Sequence, residues 1–239
     1  MRAIIAATGT GIGKTYVTCG LIRALRAIGQ TPLVLKPVLS GFSPADAALS
    51  DAGQILAALG QPLTPAALAA IAPFRYAAPL SPDWAAEIEG GSVDFASVLA
   101  VCRAALATPG ALLIETAGGI LSPLSAETTT TDLLVALGLP VVLVTGSYLG
   151  TFSHTLSAAE SLTARGLAFT VVVSESPPGA EPAPDFPETL ARLHHRLGRP
   201  VHALPRLPAA QAAPLFANLL GAIPAAARAC AASLPQSRN

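Results

Sequence analysis

Charged side chains are scarce in this 239-residue chain: they make up 12% of it, and the formal net charge is zero. A protein that binds nucleic acid through its phosphates needs clustered basic residues, and a membrane-surface protein needs them as well. The sequence has neither a basic stripe nor an acidic tail. We therefore expect neither nucleic acid nor a membrane as a partner.

Cysteines and long apolar runs are also few. Cys19, Cys102 and Cys230 are odd in number and far apart, which favours reduced thiols over disulfides or a metal site. The apolar stretch at the start is too short for a signal peptide. The uncharged segment between Asp132 and Glu160 is broken by glycine and proline, so it indicates a buried helix end and strand instead of a membrane span. We expect a cytoplasmic protein.

Lysine is the rarest charged residue. Twelve of the fourteen basic residues are arginine, and only Lys14 and Lys36 are lysine. In a composition rich in alanine, proline and arginine, the two lysines that remain suggest chemical roles.

Short apolar runs alternate with helical patterns, which predicts an α/β fold. The expected strands are 3–8, 32–36, 111–115, 140–145, 167–174 and 200–204, and the expected helices are 13–29, about 50–60, 92–108, 150–165 and 185–198. Continuous apolar runs are typical of strands buried on both faces of a parallel sheet. We predict one doubly wound, mostly parallel sheet flanked by helices in a single P-loop NTPase-like domain, 1–224. Residues 60–91 form an excursion beside the site, 175–187 a surface loop, and 225–239 a loosely ordered tail.

The stretch ATGTGIGKT, residues 7–15, follows the first predicted strand and opens the first predicted helix. It ends like the phosphate-binding loop G-x-x-x-x-G-K-[ST], but Thr8 occupies the place of the first glycine. Backbone N–H groups and a helix N-terminus there suit a phosphate chain, with Lys14 on its β and γ phosphates and Thr15 on Mg²⁺. The alternative is a plain glycine turn.

Other polar residues are predicted at the same edge of the sheet, because parallel strands end there together. Lys36 ends the second strand and Ser40 follows it closely, so a cation and a hydroxyl are expected to face the loop. Lys36 could stabilise charge on a transferred phosphoryl group, or be an ordinary strand-end lysine. Glu115 ends a buried strand, where a carboxylate needs a cation. Asp51 is either a second Mg²⁺ ligand or a helix N-terminal acid.

Taken together, seven segments resemble the dethiobiotin synthetases, ATP-dependent enzymes that close the ureido ring in biotin biosynthesis. They are T-x-T-x-x-G-K-T (8–15), KPVLSG (36–41), SDA (50–52), PFRYAAPLSP (73–82), ETAGGILSPLS (115–125), VTGSYLGTFSHTL (144–156) and LPRL (204–207). The resemblance implies a homodimer whose substrates are ATP, CO₂ and 7,8-diaminononanoate and whose cofactor is Mg²⁺. It also implies a carbamate that attacks the γ-phosphate, and an anhydride that the second amine closes.

The resemblance also implies roles for individual residues. Lys36, Lys14 and Thr10 would be catalytic, and Thr15, Asp51 and Glu115 would hold the metal. Ser40 would contact the diamine or its carbamate, and the turn with Leu149, Gly150, Thr151 and Ser153 would bind the substrate carboxylate across the dimer interface. The nucleotide would be bound by Gly11, Ile12, Gly13, Lys14, Thr15, Asp51, Glu115, Thr116, Ala117, Gly118, Ser174, Glu175 and Pro205.

The sequence departs from the family pattern at three places. Ser174 stands where the family commonly has an asparagine that reads adenine, which predicts a looser choice of nucleotide. Tyr148 replaces a basic residue and Ser153 an asparagine. The competing hypothesis is a nucleotide-switch ATPase with a protein partner, but such loops carry a second lysine at the position of Gly9. A related amidotransferase-type synthetase would need a further glutaminase domain.

Overall fold

The computed structural model describes residues 1–177 and 184–233. The strands are β1 (Arg2–Ala7), β2 (Leu33–Leu35), β3 (Val38–Ser40), β4 (Phe74–Tyr76), β5 (Leu112–Glu115), β6 (Val141–Gly146), β7 (Phe169–Ser174) and β8 (Val201–Leu204). The helices are α1 (Lys14–Ala27), α2 (Asp51–Leu59), α3 (Pro65–Ile71), α4 (Pro82–Ile88), α5 (Phe95–Ala107), α6 (Thr130–Leu137), α7 (Thr151–Ala164), α8 (Phe186–Leu197) and α9 (Ala209–Ser233).

Six strands form one sheet in the order β2-β5-β1-β6-β7-β8, and every pairing in it is parallel. Successive residues of β1 face opposite sides: Ile5 belongs to one buried cluster and Ile4 to the other. Each isoleucine side chain is fully buried, which stabilises the fold by about 2–3 kcal/mol. The predicted doubly wound α/β fold with a sheet buried on both faces is confirmed.

The strand order places the site. In the sheet, β5 and then β2 lie on one side of β1, and β6, β7 and β8 lie on the other. The chain fills the first side before it crosses β1 to form β6, so the direction in which strands are added reverses at β1. Such a reversal leaves a crevice beyond the carboxyl ends of the central strands, between loops that diverge. The loops after β1, β2, β5, β6 and β7 surround this crevice.

Glycines end several helices where the sequence predicts them. Gly60 and Gly198 follow α2 and α8 with φ of 69° and 61°, the left-handed conformation that glycine adopts without a steric penalty. Two of the other predicted helices, 13–29 and 150–165, correspond to α1 and α7 with bounds shifted by one or two residues.

The predicted excursion, residues 60–91, contains helices and a strand that the sequence analysis did not predict. Its strand β4 pairs with β3, which precedes the excursion, in a separate two-stranded parallel sheet where Ser40 pairs with Tyr76. α3 and α4 flank β4 and begin with proline in their first turn, a residue that starts helices well. This small sheet carries Ser40 toward the crevice.

The last helix, α9, packs on α1 through buried residues that include Phe216 and Leu219. Its backbone is helical to Ser233, so residues 225–233 of the predicted loose tail continue a helix, as their alanine-rich sequence favours. Residues 234–239 of that tail lie outside the described residues, as do 178–183 of the predicted loop. Among the described residues, none of the helices combines the length and the apolar character that a membrane span requires.

Candidate active site

The phosphate loop connects β1 to α1, and two glycines shape it. Gly11 and Gly13 have φ of 71° and 104°, a region in which other residues are strained. Gly13 immediately precedes α1, so the N-terminus of that helix faces the crevice. The loop is tied to the sheet at its start, where the Thr8 N–H donates to the Val144 carbonyl at 3.0 Å.

Lys14 folds back over the loop that precedes it. Its Nζ donates to the Gly9 carbonyl at 2.9 Å and to the Gly118 carbonyl at 2.7 Å. Burial, together with the positive charge of Lys36, lowers the pKa of Lys14 to about 8. The ammonium is therefore positioned by two neutral carbonyls and lies near a second cation.

Lys36 lies between two carboxylates. Its Nζ is 2.7 Å from Asp51 Oδ2 and 2.7 Å from Glu115 Oε1, and it also donates to the Thr116 carbonyl at 3.3 Å. Burial alone would lower the pKa of Lys36, but the charges of Glu115 and Asp51 outweigh burial and raise it. Burial would likewise raise the pKa of Asp51, and Lys36 outweighs it and lowers that pKa. Lys36 is therefore held in its charged form.

Two hydroxyls complete this cluster. Thr15 Oγ1 lies 2.8 Å from Asp51 Oδ1 and 2.8 Å from Glu115 Oε1, and Thr18 Oγ1 donates to Glu115 Oε2 at 2.5 Å. A threonine hydroxyl has one proton, so it cannot donate fully to both carboxylates. Carboxylate and hydroxyl oxygens gathered in this way are the ligands that a hard cation such as Mg²⁺ prefers.

The described residues contain no cluster of three or more histidine, cysteine, aspartate or glutamate side chains arranged for a metal. The oxygen set consists of the Asp51 and Glu115 carboxylates with the Thr15 and Thr18 hydroxyls. That supply matches Mg²⁺, which usually takes one or two carboxylates and completes its shell with phosphate oxygens and water.

Two clefts meet at the phosphate loop, and Thr10, Gly11, Gly13 and Tyr16 line both. One has a volume of about 600 Å³, and its lining includes the predicted residues Lys14, Thr15, Lys36, Ser40, Asp51, Ala117 and Gly118. We call it the lysine cleft. The other has a volume of about 820 Å³, and its lining includes the predicted residues Ile12, Ser174, Glu175 and Pro205. We call it the base cleft.

The structure thus brings most of the predicted site residues together, and it separates one group from them. Glu115 and Thr116 are buried beneath the lysine cleft. Leu149, Gly150, Thr151 and Ser153 line neither cleft. The Thr151 hydroxyl is buried and donates to the Gly146 carbonyl at 2.6 Å, while the Leu149 side chain is 69% exposed.

Some residues of the site are absent from the sequence-based set. Thr18 follows Thr15 by three positions, so helical spacing could have placed it on the same face of α1. Tyr16 lines the lysine cleft beside Ser40, which the sequence did predict, and neither buried hydroxyl has a hydrogen-bond partner among the described residues. A buried hydroxyl without a partner is costly, and these two lie in the lysine cleft, where a ligand would give each a partner. The sequence gives no signal for Tyr16.

Comparison with known proteins agrees with this geometry. A family model described as an AAA domain matches residues 2–225. The chain is 48% identical over 210 residues to a protein named ATP-dependent dethiobiotin synthetase BioD from Phenylobacterium zucineum, covering 86% of this chain and 88% of the relative. The chain belongs to the dethiobiotin synthetase family. A second dethiobiotin synthetase, from Caulobacter sp. strain K31, is 47% identical over 92% of this chain and 94% of its own.

Among solved structures, the cell division protein MinD of Aquifex aeolicus superposes with a TM-score of 0.51. It shares 12% sequence identity with this dethiobiotin synthetase family member, over 92% of this chain and 97% of MinD. At that identity the likeness establishes a shared fold alone.

Proposed function

We propose that this chain closes the ureido ring of dethiobiotin from 7,8-diaminononanoate and CO₂ at the expense of ATP, as a ligase of biotin biosynthesis. One observation carries the proposal beyond the family name: Lys36 lies in the same cleft as the phosphate loop and Lys14, held between Asp51 and Glu115. A site of this kind places two cations where a phosphoryl group is transferred between anionic oxygens.

The reaction has three steps. One amine of the diamine adds to CO₂ and loses a proton, giving a carbamate. A carbamate oxygen then attacks the γ-phosphorus of ATP and releases ADP, which gives a carbamic-phosphoric anhydride. Finally the neighbouring amine attacks the carbamoyl carbon, loses a proton and expels phosphate, which closes the cyclic urea.

Each cation has a distinct part in this scheme. The loop N–H groups with Thr10 and Lys14 hold the β and γ phosphates. Lys36, kept charged by its carboxylate neighbours, binds the carbamate and the γ-phosphate and offsets the charge that develops during transfer. Ser40 contacts the diamine or its carbamate, which is supported by its buried hydroxyl, since that hydroxyl has no partner within residues 1–177 and 184–233.

Thr15, Asp51 and Glu115 would hold Mg²⁺. When bound, the metal would neutralise charge on the phosphate oxygens. The chain's own contribution is the fixed oxygen cluster, with Thr15 Oγ1 2.8 Å from a carboxylate oxygen of each acid. Thr116, Ala117 and Gly118 follow Glu115 beside the phosphates, and the Gly118 carbonyl orients Lys14.

We assign the nucleoside to the base cleft, which begins at Gly11, Ile12 and Gly13. At its far end lie Ser174, Glu175 and Pro205. Glu175 is itself oriented, because its Oε2 accepts from the Arg206 N–H at 2.7 Å. Ser174 offers a single hydroxyl to a base, which favours a loose choice of nucleotide.

We further propose a homodimer in which Leu149, Gly150, Thr151 and Ser153 of one protomer bind the substrate carboxylate at the lysine cleft of the other. The separation of this turn from the lysine cleft of its own protomer supports the arrangement.

We place the protein in the cytoplasm. Cys19 and Cys102 are free and buried, which suits a reducing compartment. Residues 1–224 are proposed to form the single domain.

The proposal is tested by incubating the protein with ATP, Mg²⁺, bicarbonate and 7,8-diaminononanoate, and following ADP and dethiobiotin by mass spectrometry. We expect equal amounts of the two products, and no ADP above background without the diamine. ATP turnover that is independent of the diamine, with no cyclic urea, would overturn the ligase and favour a nucleotide switch.

A further inference from the structure

Thr8, the residue in place of the first loop glycine, makes side-chain contacts that a glycine could not make. Its Oγ1 lies 3.2 Å from Thr145 Oγ1 at the end of β6, and 3.3 Å from the Tyr148 hydroxyl. The first residue of the phosphate loop is thereby joined to the segment between β6 and α7.

Thr145 is the centre of a buried group of hydroxyls. Its Oγ1 lies 3.0 Å from Thr151 Oγ1 and 2.8 Å from Thr155 Oγ1, and Thr151 Oγ1 in turn donates to the Gly146 carbonyl at 2.6 Å. All three threonines are fully buried, so their hydroxyls depend on one another for hydrogen bonds.

At the other end the series reaches the surface. The Tyr148 hydroxyl lies 2.9 Å from His154 Nδ1, and the two rings are 5.6 Å apart. Tyr148 passes close to Gly146, where an added Cβ would lie 2.8 Å from the tyrosine ring. Tyr148 and His154 line the base cleft beside Gly9 and Thr10.

The direction of every hydrogen bond in this series follows from one carbonyl. A carbonyl only accepts, so the single proton of Thr151 is given to Gly146. Thr145 must then donate to Thr151, which requires Thr8 to donate to Thr145 and Tyr148 to donate to Thr8. The last bond can form only if His154 Nδ1 carries a proton and donates it to Tyr148. Thr155 donates to the second lone pair of Thr145.

We propose that Tyr148 and His154 are positioning residues for the phosphate loop, acting through the Thr8 hydroxyl in this one-way series of hydrogen bonds. Lys14 also holds the loop, through its hydrogen bond to the Gly9 carbonyl. The loop is thus fixed at two neighbouring residues before a nucleotide binds, which lowers the cost of ordering it. The catalytic consequence rests on the proposed function, while the hydrogen-bond direction and the effect on nucleotide binding do not.

The first experiment reads the proton itself. Nitrogen-15 NMR of the imidazole distinguishes the Nδ1–H tautomer from the Nε2–H tautomer, and His154→Asn identifies the resonance. We expect the Nδ1–H form in the nucleotide-free protein. A neutral ring protonated on Nε2 would overturn the one-way series.

The second experiment measures the affinity for ADP with Mg²⁺ by calorimetry. Tyr148→Phe and Thr8→Val should each weaken binding about three- to ten-fold, and Thr8→Ser should restore it to within about two-fold. The double variant should lose no more than Thr8→Val alone, because both changes break one series. His154→Asn, which keeps a donor, should bind like the wild type, whereas His154→Leu should bind like Tyr148→Phe.

Tyr76→Phe and Thr108→Val serve as matched hydroxyl deletions outside the series and should leave the affinity unchanged. Affinities within two-fold of the wild type for Thr8→Val and Tyr148→Phe, or additive losses in the double variant, would overturn the proposal. If Thr8→Val does not fold, the ADP affinities of Tyr148→Phe, His154→Asn and His154→Leu test the proposal. It is overturned if His154→Leu binds ADP like the wild type. Absence of dethiobiotin synthesis by the wild type would count against the proposed function alone, since ADP binding is measured without the diamine.

Discussion

Lys36 Nζ lies 2.7 Å from Glu115 Oε1, and both side chains are almost completely buried, at 4% and 0% exposure. Lys36 also pairs with Asp51. Each charge in this group of three is therefore balanced by an opposite charge in the same group. Removing one member of such a group leaves an uncompensated charge, which usually costs about 3–5 kcal/mol. The residue proposed to stabilise the transferred phosphoryl group is therefore also a structural residue.

Lys36→Met should abolish most turnover, by about 100-fold or more, and should lower the free energy of unfolding by about 3 kcal/mol at neutral pH. Lys36 lowers the pKa of Asp51 in the folded state, so the stability it gives is complete above the ordinary carboxyl value of 3.8 and is lost as the pH falls through the lowered pKa. The difference in the free energy of unfolding between the wild type and Lys36→Met should therefore become smaller in acid. Urea unfolding across the pH range measures it, and a gap that widens in acid would contradict the assignment.

Nucleotide binding should take up protons through Lys14. The pKa of Lys14 in the free protein is about 8, because burial and the neighbouring Lys36 disfavour its charge, and phosphates will raise it. Calorimetry of ADP binding in buffers of different ionisation enthalpy, at a pH near this value, should show uptake of about half a proton. The affinity should fall as the pH rises further. At a pH well below this value Lys14 is charged before and after binding, and the uptake should vanish, which provides the internal control.

Asp51→Asn should raise the Mg²⁺ concentration needed for half-maximal activity about ten-fold or more, because it removes one carboxylate from the oxygen cluster. Asp46→Asn is the matched control: Asp46 is exposed and lies in the segment just before α2. Chelation with EDTA should stop turnover by the wild type, and added Mg²⁺ should restore it. Equal Mg²⁺ dependence for both variants would remove Asp51 from the metal site.

The proposed dimer predicts complementation between two inactive variants. Lys36→Met damages the lysine cleft, and Gly150→Val damages the carboxylate turn, because Gly150 has φ of 96° and valine cannot adopt it without strain. Random exchange of subunits places one intact shared site in half of the dimers, which should restore about one quarter of wild-type activity. Each variant alone supplies the baseline. A mixture that stays at baseline after subunit exchange would show that each site belongs to one chain.

Ser174 predicts a weak preference among nucleotides. With one hydroxyl facing the base, the values of kcat/KM for ATP, GTP and CTP should fall within about ten-fold of each other. Ser174→Ala should change their ratios less than about three-fold. A preference for ATP above about 100-fold would mean that backbone groups of the base cleft, and not residue 174, read the base.

The sequence predicts the central sheet because its strands are short continuous apolar runs, such as the one containing Ile4 and Ile5. Such runs are typical of strands buried on both faces of a parallel sheet. The sequence also predicts that Lys14, Lys36 and Glu115 meet, since strand ends and helix starts of a parallel sheet share one edge. The residues alone left Asp51 open, because an acid at a helix N-terminus has an ordinary explanation, and the family resemblance placed it with the others. β3 and β4 are not predictable in this way. Each is three residues long, too short to show a period, and their pairing joins distant parts of the chain.

The side-chain contacts of Thr8 could not be predicted from the sequence, for a different reason. A loop motif shows only which residues fit the backbone conformation at each position. Compared with that motif, Thr8 is simply a position without the expected glycine. Its hydroxyl gains meaning from Thr145 and Tyr148, which lie 137 and 140 positions later in the chain. Only the pairing of β1 with β6 brings these residues together.

The common border of the two clefts has a consequence for inhibitor chemistry. A compound that carries a diamine mimic in the lysine cleft and a nucleoside mimic in the base cleft has only the phosphate loop to cross, at Thr10, Gly11 and Gly13. Once one half is bound, the other meets its cleft at an effective concentration in the millimolar range for a short linker, on the order of 10⁻³ M. Two weak fragments joined across this loop would therefore combine into one tight ligand.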